Sequence, residues 1–184
     1  MPVTPDESLC PSVPERYRAA TLEGYTPTDE TQRCALAASR DVVARLAGDS
    51  SRRASLVLIG TPGVGKSHLA AAVCHAVTAS LMAPWRVEAD RANAEYDAAW
   101  LRHPAEDWDR IPPNDRPHVR RVPRPALPEW VNVPSLVVNV KAEMSLGTDE
   151  QRSTTFARSL RSARTLVVLD DLGRERISEW TGEL

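Results

Sequence analysis

The chain has 184 residues, of which 42% are hydrophobic and 26% are charged, and its formal net charge is −2. This composition suits one globular domain and excludes a general electrostatic attraction to nucleic acid, so any polyanion contact has to come from a local patch. No apolar run approaches the length of a membrane span, and Asp6 and Glu7 lie where a signal peptide would have its apolar core. We therefore expect a cytoplasmic protein that does not contact membranes.

The cysteines and histidines indicate no metal site. Cys10, Cys34 and Cys74 are odd in number and widely spaced, which predicts free thiols rather than a disulfide framework or a zinc site. The four histidines also lack the spacing of metal ligands.

The first elements in chain order are a tail and a helix. Four prolines in residues 1–14 predict a flexible N-terminal tail, and we assign residues 15–184 to one α/β core. In "TPTDETQRCALAASRDVVARLAGD" Asp29 and Gln32 form a capping-box pattern. The apolar residues that follow at helical spacing predict a helix that Gly48 ends; they are Leu36, Val43 and Leu46.

A strand, a glycine loop and a second helix come next. The apolar run "SLVLIG" at 55–60 predicts a strand buried on both faces of a parallel sheet. After the loop, apolar residues recur every four positions and predict a helix of about four turns; they are Leu69, Val73, Val77 and Leu81. This order turns the loop into a candidate phosphate site.

Residues 84–128 change in character and predict an insertion into the core. Prolines, tryptophans and arginines are concentrated there, and only 88–103 is typical of a helix. The insertion could supply cationic and stacking contacts to single-stranded DNA, or it could be a solvated loop, which the interspersed aspartates favour. The candidate DNA contacts are Trp108, Arg110, Arg116, Arg120, Arg121, Arg124 and Trp130.

The last elements alternate between strand and helix. We divide "WVNVPSLVVNVKAEM" at Pro134 into a strand and a following helix. A second capping box at 148–151 predicts a helix that carries Phe156 and Leu160. "TLVVLDDLG" then predicts another buried strand, which ends in Asp170 and Asp171.

The loop "GTPGVGKS" meets the full Walker A pattern of a nucleotide-binding P-loop. Its backbone N–H groups and the helix N-terminus would surround the phosphates of ATP, Lys66 would reach the β- and γ-phosphates, and Ser67 would ligate Mg²⁺. The alternative is a glycine-rich turn that binds nothing. The predicted cofactor-binding residues are Gly60, Thr61, Pro62, Gly63, Val64, Gly65, Lys66, Ser67 and His68.

The two carboxylates after the last strand form a Walker B candidate. Alone, an acid at a strand end is a weak signal, but beside Walker A it indicates hydrolysis. Asp170 would join Ser67 in holding Mg²⁺, and Asp171 would orient or deprotonate the attacking water. The predicted catalytic residues are therefore Lys66 and Asp171.

The chain resembles the DnaC/IstB group of AAA+ ATPases, which contains bacterial and phage helicase loaders and transposition helpers. The resemblance rests on "GTPGVGKSHLAAAV", "WVNVPSL" and "LVVLDDLGRERISEW", in which Gly173, Glu175 and Trp180 occupy the positions this group uses. It implies an α/β P-loop NTPase of the ASCE/AAA+ type, with a parallel sheet and flanking helices, that acts in DNA replication. The implied partners are a replicative helicase or a transposase, single-stranded DNA and further copies of the chain. In "VPERYRAATLEGY" the resemblance makes Tyr17 and Arg18 candidates for the adenine site.

Departures from this group predict a C-terminally truncated member. Its members continue beyond Walker B with a sensor 1 residue, an arginine finger and a lid, whereas this sequence ends at Leu184. The implied sheet order 5-1-4-3-2 then lacks the strand between the Walker A and Walker B strands. Those strands either pair directly, or leave a gap that another chain fills, or belong to a fragment of a longer product. We expect phosphate binding to survive and turnover to be weak.

Two rival functions remain open from the residues. A small-molecule P-loop kinase could use the arginine-rich insertion as a lid. A catalytically inactive ATP-binding protein could instead compete for a helicase or oligomerise with intact relatives.

Overall fold

The computed structural model describes residues 9–47, 54–101, 116, 118, 120–145 and 166–171. These residues form a mixed α/β arrangement of helices and a small parallel sheet. In the described ranges, no helix combines the length and the apolarity needed to cross a bilayer. The elements, in order, are a 3₁₀ helix (Glu15–Tyr17), α1 (Glu30–Leu46), α2 (Lys66–Trp100), β1 (Glu129–Asn132), α3 (Val133–Ser145) and β2 (Val167–Asp170).

Helix α1 confirms the predicted capping box. Asp29 Oδ1 accepts a hydrogen bond from the Gln32 backbone N–H at 2.8 Å, and Gln32 Oε1 accepts one from the backbone N–H of Thr28 at 2.7 Å. These bonds satisfy donors that the first turn would otherwise leave free. The buried face of the helix carries Leu36, Ser39, Val42 and Leu46. The predicted terminator Gly48 lies outside the described residues.

Helix α2 forms the centre of the core and is longer than predicted. All four residues of the predicted apolar face are buried; they are Leu69, Val73, Val77 and Leu81. The helix then continues through Pro84 to Trp100. The predicted helix at 88–103 is thus the end of α2, and the predicted start of the insertion falls within this helix. Pro84 is exposed, and buried Met82 and Ala92 anchor the helix on either side of it.

Strands β1 and β2 form a parallel pair, with Glu129 opposite Val167 and Asn132 opposite Asp170. The predicted change from strand to helix is confirmed: α3 begins at Val133, so Pro134 lies in its first turn, where a missing N–H costs nothing. β2 is a strand as predicted. It is not buried on both faces, however, since Leu169 is 45% exposed.

The predicted strand at 55–60 is wrong. The segment at 54–60 has no regular secondary structure, and Val57 and Ile59 are 78% and 88% exposed. Leu56 and Leu58 are half-buried and pack against the core. A strand needs a neighbour for its backbone groups, and among the described residues β1 and β2 pair only with each other. Alternate side chains therefore attach this segment to the core while its backbone stays outside the sheet.

The predicted N-terminal tail also needs correction where the structure describes it. Cys10 and Val13 are 2% and 3% exposed and belong to the core. The prolines around them prevent regular structure without preventing burial. Residues 1–8, the predicted helix after Thr148, and the family positions Gly173, Glu175 and Trp180 lie outside the described residues.

Candidate functional site

The glycine loop leads directly into the N-terminus of α2. Gly63 and Gly65 have φ angles of +86° and +91°, in the left-handed region that residues with a Cβ rarely adopt. Gly65 is the N-cap of α2, so the unpaired N–H groups of the first helical turn lie beside the loop. A Cβ on Gly63 would meet nothing within 4 Å, which leaves open space on that side of the loop. The loop therefore has the features of an anion site: glycines, free amides and a helix N-terminus.

Lys66 closes the loop. Its ammonium donates hydrogen bonds to the carbonyl oxygens of Gly60 and Thr61, both at 2.9 Å. The positive charge is thereby held beside the amides of the same loop. An anion in the loop would meet the ammonium and the helix N-terminus together.

The two predicted metal ligands are in contact. Ser67 Oγ donates a hydrogen bond to Asp170 Oδ1 at 2.9 Å. Ser67 belongs to the first turn of α2 and Asp170 ends β2, so the fold brings together residues 103 positions apart. A hydroxyl beside a carboxylate provides the oxygen ligands that Mg²⁺ prefers.

Asp171 follows at the same edge of the sheet in a constrained conformation. Its φ of +61° is the sole positive value at a non-glycine residue in the described chain. Asn132, the last residue of β1, donates from Nδ2 to Asp171 Oδ2 at 3.4 Å. Because β1 and β2 are parallel, their carboxyl ends meet and bring this amide to the acid. Asn132 was not predicted, although its place at the end of a predicted strand was a usable signal.

Tyr25 is a second residue that the sequence did not single out. Its hydroxyl donates to the carbonyl oxygen of Val64 at 3.0 Å, and its ring lies 5.7 Å from the His68 imidazole. A Cβ on Gly65 would come within 2.6 Å of the Tyr25 ring. Tyr25 therefore packs against the loop at Val64 and Gly65. The only sequence signal was its place in the segment before the loop.

His68 is the last of the predicted nucleotide-binding residues. It is half-buried in the first turn of α2, beside Tyr25. Its Nε2 atom is buried and has no hydrogen-bond partner among the described residues. An unpaired buried nitrogen of this kind costs stability.

The predicted adenine-site residues make other contacts. The Tyr17 ring lies 5.9 Å from the Trp130 ring, and the Tyr17 carbonyl lies 3.2 Å from His75 Nε2. Arg18 forms an ion pair with Glu15. The short 3₁₀ helix at 15–17 directs these residues to the core and to solvent, so among the described contacts it is Tyr25 that reaches the loop.

Three of the predicted DNA-contact residues make other contacts within the protein. Trp130 is 8% exposed and lies in the core, which prevents it from stacking on a base. Arg124 lies over the Trp85 ring, 5.8 Å from its centroid, and Arg120 pairs with Glu88 at 3.2 Å. Trp108 and Arg110 lie outside the described residues.

The side chains at this site offer oxygen atoms as metal ligands, which suits Mg²⁺ better than a transition metal. The described part of the chain contains no cluster of three or more His, Cys, Asp or Glu residues that could hold a metal. Mg²⁺ keeps several of its waters and needs one or two carboxylates, so Ser67, Asp170 and Asp171 fit it.

Comparisons with protein-family models, curated proteins and solved structures found no match for the chain.

Proposed function

We propose that this chain is a P-loop ATPase of the ASCE/AAA+ type that binds Mg·ATP and acts as a DnaC-like helicase loader in DNA replication. The observation that carries the nucleotide part of the proposal is the 2.9 Å hydrogen bond between Ser67 and Asp170. It joins the end of the glycine loop to the acid at the end of a strand. A glycine turn that binds nothing has no need of this second, distant acid.

Each residue has a distinct role in the proposal. The amides of 60–67 bind the phosphate oxygens, and the Lys66 ammonium moves from the carbonyls of Gly60 and Thr61 to the terminal phosphates. Ser67 and Asp170 hold Mg²⁺, which when bound neutralises charge on the phosphates. Asp171 orients the attacking water and accepts its proton.

Asn132 and Tyr25 position these groups. The Asn132 amide donates to Oδ2 of Asp171 and so restrains the carboxylate at the end of β2. Tyr25 holds Val64 and thereby restrains the loop.

The first experiment compares the two lysines of the chain. Lys66→Ala removes the ammonium of the loop, and Lys141→Ala removes a lysine of α3 as the matched control. A charge-assisted hydrogen bond contributes about 1.5–3 kcal/mol, so Lys66→Ala should weaken ATP binding roughly 10- to 100-fold in equilibrium dialysis. The Lys141→Ala protein should bind as the wild type does. Equal ATP binding by all three proteins would refute the proposal.

The second experiment separates metal binding from hydrolysis. Asp170→Asn should remove the dependence of ATP binding on Mg²⁺, whereas Asp171→Ala should preserve binding and abolish release of phosphate. If wild type and Asp171→Ala both bind ATP without turnover, the chain is a nucleotide-binding protein and not an ATPase.

The helicase-loader assignment rests on the resemblance in the three quoted segments. Single-stranded DNA should stimulate ATP turnover by the wild-type chain. Transfer of the γ-phosphate to a nucleotide or another small molecule would instead identify a P-loop kinase. Binding to a transposase rather than a replicative helicase would favour the IstB-like alternative.

A further inference from the structure

The segment at 55–59, just before the glycine loop, has one side on the core and one side in solvent. Leu56 and Leu58 are half-buried and pack against the core. Val57 and Ile59, which alternate with them, are 78% and 88% exposed. A side-chain period of two is typical of an extended backbone with one face on a core. The segment therefore has the side-chain arrangement of a strand, although it belongs to no sheet.

The backbone of this segment has no partner in the part of the chain that the structure describes. The sheet there consists of β1 and β2 alone, and no backbone hydrogen bond joins 55–59 to another described residue. Consecutive N–H and C=O groups are thus open to pairing with another strand. In strand addition, main-chain hydrogen bonds supply the affinity and alternate side chains supply the specificity.

The outer edge of β1, by contrast, is closed within the chain. The Glu129 N–H donates to the carbonyl oxygen of Leu166 at 2.9 Å, so the next N–H, that of Trp130, points away from β2. This N–H donates to Ser12 Oγ at 2.9 Å, and the Ser12 hydroxyl donates to the carbonyl oxygen of Pro128 at 3.3 Å. A side chain thus takes the place of a neighbouring strand at this edge and blocks further pairing. No described residue blocks 55–59 in this way.

The charge around the segment suits a second copy of this chain as the partner. Residues 54–65 have no charged side chain, and the net charge of the chain is only −2, so two copies can meet there without like-charge repulsion. Exposed aliphatic residues elsewhere lack this combination. Val87, for example, lies between Arg86 and Glu88 in α2, where the backbone is already hydrogen-bonded within the helix.

We propose that residues 55–59 form the interface of a homodimer, in which the segments of two copies pair as antiparallel strands about a two-fold axis. One segment supplies both halves of such an interface, because its N–H and C=O groups are complementary to those of its copy. With the axis at Val57, this residue lies opposite the partner's Val57, and Ile59 lies opposite the partner's Ser55. The Cβ atoms of opposed residues would be about 4.5–5.5 Å apart, close enough for contact.

The size of the interface makes the dimer weak. Five residues per copy are far fewer than the roughly 20–30 residues per partner of a standard interface, so the chain is monomeric when dilute and dimeric when concentrated. The inference does not depend on ATP binding, because the segment ends before the glycine loop and the acids at 170 and 171.

The first test follows the mass of the full chain by sedimentation velocity as its concentration rises. Wild type should change from monomer to dimer. Ile59→Lys places a charge in the uncharged strand pair, and a symmetric dimer contains this change twice, so the dissociation constant should rise at least about tenfold. The matched control is Leu101→Lys, since Leu101 is 87% exposed at the end of α2. It should dimerise as the wild type does.

The second test locates the axis by cross-linking. In a Cys34→Ser background the remaining cysteines are buried. Val57→Cys should then form a disulfide-linked dimer on mild oxidation. Val87→Cys is the control, because Val87 is 71% exposed but lies outside the segment, and it should stay monomeric.

The wild-type chain alone can overturn the proposal, so a folding defect in a variant would not obscure the result. A monomer at every concentration would refute it. So would an assembly that grows beyond two copies, because two-fold pairing closes at the dimer. Equal weakening by Ile59→Lys and Leu101→Lys, or equal cross-linking at positions 57 and 87, would show that 55–59 is not the interface.

Discussion

Gly65→Ala tests how closely Tyr25 packs against the glycine loop. The substitution has two costs that can be separated. The first is backbone strain, because the φ of +91° at this position is unfavourable for a residue with a Cβ. The second is steric, because the new Cβ would lie 2.6 Å from Tyr25 Cε2. Gly63→Ala is the matched control: its φ is +86°, but a Cβ there meets nothing within 4 Å.

The expected magnitudes follow from these contacts. Strain of about 1–2 kcal/mol, reduced by about 0.4–1 kcal/mol because alanine restricts the unfolded chain, should leave Gly63→Ala about 1 kcal/mol less stable than wild type. In Gly65→Ala the Tyr25 ring must also move away from Val64 and His68. Loss of its hydrogen bond and ring contact adds about 1–2 kcal/mol, for a total of about 2–3 kcal/mol.

Urea unfolding, followed by tryptophan fluorescence, measures both variants alone and in a Tyr25→Ala background. In that background the two glycine substitutions should cost the same, because the clash has been removed. The reasoning is refuted if Gly63→Ala and Gly65→Ala are equally destabilised in the wild-type background, or if their difference persists without Tyr25.

Three further predictions concern the fold. Asp29→Ala removes the hydrogen-bond acceptor at the start of α1 and should lower the free energy of unfolding by about 1 kcal/mol. The control Asp41→Ala breaks an exposed ion pair with Arg45 and should lower it by no more than about 0.5 kcal/mol, so equal losses would contradict the role of the cap. Pro84→Ala restores a helical N–H in α2 and should raise the free energy of unfolding by about 1–3 kcal/mol. A melting temperature below that of the wild type would argue against a continuous helix. Ile59 is exposed and Leu69 is buried, so Ile59→Ala should change the free energy of unfolding by less than about 0.5 kcal/mol, whereas Leu69→Ala should lower it by about 2–5 kcal/mol. A large loss of stability in Ile59→Ala would indicate that residues 55–60 form a buried strand.

Local patterns in the sequence correctly predicted the starts of α1 and α2, the change from strand to helix near Pro134 and both strands of the sheet. The capping box at Asp29, the four-residue spacing after Lys66 and the break at Pro134 each depend on neighbours within a few positions. Such features can be predicted from a short stretch of sequence, because the hydrogen bonds that form them join residues only a few positions apart. The same applies to the glycine loop, whose left-handed residues are glycines in the sequence.

The prediction for 55–60 was wrong for a reason that lies outside the segment. An apolar run can be a strand only if another strand supplies backbone partners, and the described residues supply none. At Pro84, conversely, a local signal for a helix end was overridden, because α2 has buried side chains on both sides of the proline.

The sequence by itself therefore predicted the residues of a candidate nucleotide site: the loop at 60–67 and the acids at 170 and 171. Only the tertiary structure decided how their surroundings are arranged. It brought Ser67 to Asp170 and Tyr25 to the loop. The physical reason is that a motif is a local pattern of residue types. Contacts between residues 39 and 103 positions apart depend instead on how the helices and the sheet pack, which no short stretch of sequence specifies.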